Sequence, residues 1–223
     1  LTKVPADTIL KVVSAVGLPT FSRALQRDGT IDSIFRRTSL GLLAAGGAGL
    51  GLMILAGPAV IRILYDNRYQ EAGWMVQIVA VGVWFQVLEG INTAALLTLG
   101  EPKWVAAGNI VKVACMIVVL PLAYRAYGFA GALAGMALVD VPRYLIVAAR
   151  ARVRGVGGWT GEVAITAFVL LTAVTAHFLR TEGHARSLLL AGLVFLAIWP
   201  VPCWIVFRIL RKPRTDAPAA VAG

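Results

Sequence analysis

Four ionisable residues, Glu89, Lys112, Asp140 and Arg143, fall inside runs that are otherwise apolar enough and long enough to cross a bilayer. Each costs ~2.5–3.5 kcal/mol at the hydrocarbon level on insertion scales, so such groups face protein or a water-filled cavity. Lys112 and Arg143 suit a phosphate-bearing ligand, Arg as a bidentate fork and Lys as a point charge, and are the candidate substrate-binding residues. Glu89 and Asp140 suit a coupling proton or cation. The alternative is two ion pairs between helices, such as Glu89–Lys112 and Asp140–Arg143, because unpaired buried charge is so unfavourable. Asp7 and Lys11, spaced i,i+4 on one face of an earlier apolar stretch, are further candidates for ion coupling or a structural pair. Gln86 and Asn92 share the face of Glu89, and Asn109 that of Lys112.

The elements that must hold these groups are helices. Of 223 residues, 59% are hydrophobic and only 14% charged, against about 25% charged in an ordinary soluble domain. Six apolar runs cover residues 39–61, 72–99, 104–124, 127–149, 163–179 and 187–207, each near or above the roughly 20 residues that span a ~30 Å core. Residues 4–21 read as the end of a further spanning helix. With no initiator Met and no leader pattern, the chain is expected to be the C-terminal part of a longer one. The expected fold is all-α: a polytopic membrane helix bundle with six full transmembrane helices plus the end of a seventh. In this reading residues 1–22 end a transmembrane helix and 23–38 form a cytoplasmic loop with a short amphipathic helix. A four-helix core follows over 39–150, then a second cytoplasmic loop over 151–162. A terminal helix pair over 163–210 and a disordered tail over 211–223 complete the chain.

The net charge of +10 marks topology rather than nucleic-acid binding. Arg23, Arg27, Arg36, Arg37, Lys103, Arg150, Arg152, Arg154, Arg208, Arg211, Lys212 and Arg214 fall in alternate loops, against only Arg62, Arg68, Arg125, Arg180 and Arg186 in the others. Cytoplasmic loops are the ones enriched in Lys and Arg, so the first set and the C-terminus are expected inside. Tyr65, Tyr69, Trp74, Tyr124 and Tyr127 flank the outer loops, and Trp104 and Trp159 the inner ones, as interfacial aromatics do. Gly131 and Gly135 form a GxxxG pair suited to close helix packing. Pro58, Pro121 and Pro142 each free a carbonyl that a neighbour must satisfy.

Several chemistries are not indicated. His177 and His184 have no carboxylate or thiol at ligand spacing, and Cys115 and Cys203 form no CxxC pair, so no metal and no cofactor is expected. Gly155-Val156-Gly157-Gly158 lacks the GK[ST] ending of a phosphate loop. No Ser/His/Asp arrangement is present, and the chain is read as a non-enzyme.

The order of features resembles the C-terminal half of bacterial polysaccharide flippases, of the multidrug/oligosaccharidyl-lipid/polysaccharide transporter superfamily. Leu18-Pro19-Thr20-Phe21-Ser22-Arg23 is like the family's "lPalSr". Ile63-Leu64-Tyr65 with Tyr69-Gln70-Glu71-Ala72 is like "llyG..y..A", with Asp66-Asn67 where the family has glycine. Residues 94–99 with Gly100-Glu101-Pro102 are similar to "l.alGrp", and Tyr127-Gly128-Phe129-Ala130-Gly131-Ala132 to "yGi.Ga". The resemblance implies alternating-access flipping of an undecaprenyl-pyrophosphate-linked oligosaccharide across the bacterial inner membrane, for lipopolysaccharide or exopolysaccharide. Its implied partners are the lipid-linked oligosaccharide, the membrane, and a glycan polymerase with glycosyltransferases. The rivals are an ion-coupled drug or small-molecule antiporter of the same superfamily and a membrane glycan polymerase or ligase. The last would need catalytic groups on a sizeable outer loop, and the outer loops are short.

Overall fold

The computed structural model describes residues 19–23, 32–64, 72–157 and 159–180. Asp7, Lys11, His184, Cys203 and the expected last helix lie outside those residues. Every described element is helical: α1 (Asp32–Leu64), α2 (Ala72–Thr98), α3 (Pro102–Leu138), α4 (Asp140–Val153) and α5 (Trp159–Arg180). Four helices are long and apolar enough to cross a membrane, and one of these is the 52-residue stretch Pro102–Val153.

That stretch is too long for a single crossing, and it turns back on itself. Lys112 and Asp140 would stand about 42 Å apart along an unbroken helix at ~1.5 Å per residue, yet their side chains meet at 2.5 Å. The reversal is at Gly128, the one residue of α3 with non-helical angles (φ 61°, ψ −145°), a conformation that glycine alone adopts cheaply. The arms then pack closely. A Cβ built on Gly131 would lie 2.2 Å from the Ala123 carbonyl oxygen, and one on Gly135 would touch Ala123 and Val119. The second arm runs on into α4 almost without a break, since Val139 is right-handed helical and bonds back to Gly135 at 3.0 Å. The seam between them coincides with Pro142, whose missing N–H frees the carbonyl one turn earlier. Gly131→Ala is expected to destabilise the hairpin by about 1–3 kcal/mol, the usual cost of overpacking, read as a lowered thermal midpoint in detergent.

α2 is the central helix, packed against α1, α3, α4 and α5. Trp84, Val87, Leu88, Ile91, Ala95 and Leu96 make it the most deeply buried. Lipid tails are as apolar as leucine, so helices in a bilayer associate through close packing and interhelical hydrogen bonds. Both occur here. A Cβ on Gly82 would be 2.8 Å from the Ala137 Cα, and the Trp84 indole N–H donates to the Thr166 hydroxyl at 3.1 Å. Pro58, inside α1, cannot donate to the Ile54 carbonyl, and the Gln77 amide from α2 does so instead at 3.0 Å. Gln77→Leu leaves that buried carbonyl orphaned, at an expected cost of about 1–3 kcal/mol, measurable by thermal unfolding. The outer arm of α3 turns Ile110, Ile117, Val118 and Leu122 away from the bundle.

Two boundaries differ from the sequence reading. α1 begins at Asp32 rather than at Ser39, so Ile34 and Phe35 belong to a helix continuous with the spanning segment instead of a separate surface helix. The Asp32 carboxylate accepts the Gly157 N–H at 2.9 Å, tying the start of α1 to the α4–α5 turn. α4 reaches Val153 and α5 starts at Trp159, which leaves a tight turn in place of a loop over 151–162. Val156 N–H to Ala151 and Gly155 N–H to Arg152, at 3.0 and 2.9 Å, close α4 with a Schellman motif. The Gly155-Val156-Gly157 run is thus a helix stop.

Candidate functional site: a charged tier between three helices

The four charges converge. α2 and α4 run parallel, with Gln86 level with Asp140 and Glu89 level with Arg143. The first arm of α3 runs antiparallel to α4, which sets Lys112 beside Asp140 and Gly108 beside Arg143. The expected pairings are exchanged: Lys112 pairs with Asp140 at 2.5 Å and Arg143 with Glu89 at 2.8 Å, in place of Glu89–Lys112 and Asp140–Arg143. The cause is register. Arg143 stands one helical turn beyond Asp140 and is opposite Glu89 of the parallel helix, while the antiparallel Lys112 reaches only Asp140.

Each anion has a further donor. The Gln86 amide donates to the second Asp140 oxygen at 3.0 Å, and the Thr93 hydroxyl donates to Glu89. Gln86 and Asn92, which share the face of Glu89 by spacing, bond instead to Asp140 and Glu162.

The tier has a sided arrangement. The side chains of Asp140 and Glu89 are 2% and 8% exposed, those of Lys112 and Arg143 27% and 19%. The anions are sunk in the bundle and the cations stand towards the open side of the α3–α4 hairpin, where Asn109 is also exposed. Arg143 keeps a buried Nε with no hydrogen-bond partner among the described residues. Such a pair of cations can hold an anion while the carboxylates behind them balance the charge when none is bound.

A second polar cluster escaped the sequence reading. Glu162, expected in a loop, lies in the first turn of α5 and is only 3% exposed. It accepts the Tyr144 hydroxyl at 2.7 Å, the Asn92 amide at 3.2 Å and the Arg152 guanidinium. Arg152 lies over the Trp159 ring at 3.8 Å. Beside it a shallow cleft, with room for about 20 Å³, is lined by Phe35, Arg36, Ser39, Thr160 and Glu162, among others.

At the same end of the bundle Glu101 clasps Arg150, with contacts of 2.5 and 2.8 Å, and Arg154. Arg150 also stands over Trp104 at 5.1 Å. The basic residues Arg36, Arg37, Lys103, Arg150, Arg152 and Arg154 therefore gather at one end. The Arg150 hydrogen bond, helped by Arg154, holds the Glu101 carboxyl at about 2, well below its ordinary 4.5. A depressed carboxyl contributes stability above its unfolded value and loses it as the pH falls. The clasp is thus expected to open between about pH 4.5 and pH 2. A change in Trp104 fluorescence over that window, absent in Glu101→Gln, is the check.

The side chain of His177 lies outside the described residues. Among the described residues no group of His, Cys, Asp and Glu could hold a metal. No protein-family model matches the chain, and no curated protein and no solved structure matches it either. The fold and site define an all-helical bundle with membrane-spanning helices and a charged tier.

Proposed function

We propose that the chain is the C-terminal part of a transporter that flips an undecaprenyl-pyrophosphate-linked oligosaccharide across the bacterial inner membrane for surface polysaccharide synthesis. The observation that carries this reading is the sided tier. Lys112 and Arg143 stand at the open side of three apolar helices, each backed by a buried carboxylate and neither committed to a bidentate partner. A pyrophosphate has the charge and geometry to draw both cations off their carboxylates. The protein would alternate between ion-paired and ligand-bound arrangements, as alternating access requires. Two of the four motifs behind the flippase resemblance fall at turns of the bundle, at Gly100-Glu101-Pro102 and at Gly128.

In this proposal six helices cross the membrane and the arginine-rich end faces the cytoplasm, following the positive-inside rule. The C-terminus shares that side, and a polymerase and glycosyltransferases work alongside. The buried carboxylates also suit an ion-coupled antiporter for small molecules. One experiment separates the two. The intact protein in proteoliposomes, supplied with a polyprenyl-pyrophosphate oligosaccharide on one leaflet, is expected to move it faster than empty vesicles do. Equal rates, with ion-driven uptake of a cationic dye instead, would replace the flippase reading with the antiporter.

A further inference from the structure

We propose that Glu162 is a positioning residue for Arg143, acting through Tyr144 and Asn92. This inference rests on the reading of Arg143 as a substrate contact.

On α4, the neighbours Arg143 and Tyr144 point to different sides, Arg143 to Glu89 of α2 and Tyr144 to Glu162 of α5. On α2, the neighbours Thr93 and Asn92 divide in the same way, Thr93 to Glu89 and Asn92 to Glu162. Glu162 thus grips the back of both helices whose fronts form the Arg143–Glu89 pair. Successive helix residues project about 100° apart, so turning α4 to release Tyr144 from Glu162 also swings Arg143 relative to Glu89. Arg152, two turns further along α4, is held by the same carboxylate, which fixes the rotation of α4 at two points. Glu162 touches nothing in the charged tier itself.

A device built only for stability would satisfy its members. Here Arg152 Nε and Nη1 and Asn92 Oδ1 are buried and have no hydrogen-bond partner among the described residues. A network left part-satisfied is a poor source of stability, and specification of geometry is the use that remains. The periodicity of α5 places Glu162 there deliberately: Gly161, Glu162, Ile165, Phe168, Val169, Thr172 and Ala176 form one buried helical face.

The test uses the intact protein in detergent and two readouts. The first is affinity for a short-chain polyprenyl pyrophosphate. Tyr144→Phe, which removes one hydroxyl and keeps the ring, is expected to weaken binding about tenfold, the usual size of a coupling through a shared partner. In an Arg143→Lys background it should weaken binding no further, and Glu162→Gln, which keeps an acceptor for Tyr144, should retain more affinity than Glu162→Leu. The second readout is a thermal double-mutant cycle between Tyr144→Phe and Glu89→Gln, where non-additive shifts in Tm are expected. Additive effects in the cycle, or an equal loss of affinity on top of Arg143→Lys, would overturn the positioning role. If the wild-type chain fails to bind the pyrophosphate, the substrate reading falls, and the thermal cycle alone then decides whether Glu162 positions Arg143.

Discussion

Exchanging the charges of Lys112 and Asp140, as K112D with D140K, is expected to restore most of the stability that either single reversal removes. Reversing one member sets two like charges against each other where the Asp140 side chain is 2% exposed. Breaking a buried pair from one side costs about 3–5 kcal/mol, and the double exchange re-forms the contact with opposite polarity. Gln86, whose amide donates to Asp140, presents its carbonyl oxygen to the new ammonium after rotation, so its place in the site survives. The matching exchange across the pairing that spacing alone suggests, E89K with K112E, should restore little, because Glu89 faces Arg143. The measurement is thermal unfolding of the single reversals and the two double exchanges in one detergent. Rescue by the Glu89–Lys112 exchange with none by Lys112–Asp140 would contradict the observed register.

What the sequence made legible, and what it hid, divides along one physical line. Hydropathy runs depend on each segment alone, so the apolar stretches around Glu89, Lys112, Asp140 and Arg143 were visible, as were the Gly131–Gly135 contact surface and the need for a neighbour at Pro58. Gly128 was visible as part of a family motif, but inside the apolar run 127–149 rather than as the point of reversal. Which charge meets which was not, because that depends on the offset between helices, and a shift of one turn exchanges Asp140 for Arg143 opposite Glu89. Asn92 illustrates the same limit. Its face is close to that of Glu89, yet α5 lies nearer to it than α4 does, and its amide goes to Glu162. Glu162 was hidden for a different reason: the Gly155–Gly158 run and the charge itself moved the expected helix start to Val163. The signal was present in the spacing of Glu162, Ile165, Val169 and Ala176, and the strict helical period outranks the polarity of its first member.

Removing both charges of one pair at once is expected to stop transport while sparing the fold. Glu89→Gln with Arg143→Gln removes both charges and leaves two amides that can hydrogen-bond, and replacing a whole buried pair is often close to neutral for stability, unlike removing one partner. If the pair only fastens α2 to α4, glycan flipping by this double variant should match the wild type. If Arg143 grips the pyrophosphate, the rate should fall about 30-fold or more, the loss of a charge-assisted contact of about 2 kcal/mol. The same argument applies to Lys112→Gln with Asp140→Asn, where Gln86 can bond to either amide. A loss of flipping on single neutralisation does not separate the two roles, because Lys112→Gln alone strands Asp140 and mixes misfolding with lost binding. The double variants separate them because the cations sit on the exposed side and the anions on the buried side. A ligand reaches Lys112 and Arg143 without reaching the carboxylates, so the loss of function follows the cations. Restoring Arg143 alone in the first variant, as Glu89→Gln, should therefore recover flipping even though the pair remains broken. Recovery by Arg143→Gln with Glu89 intact would instead assign the function to the carboxylate.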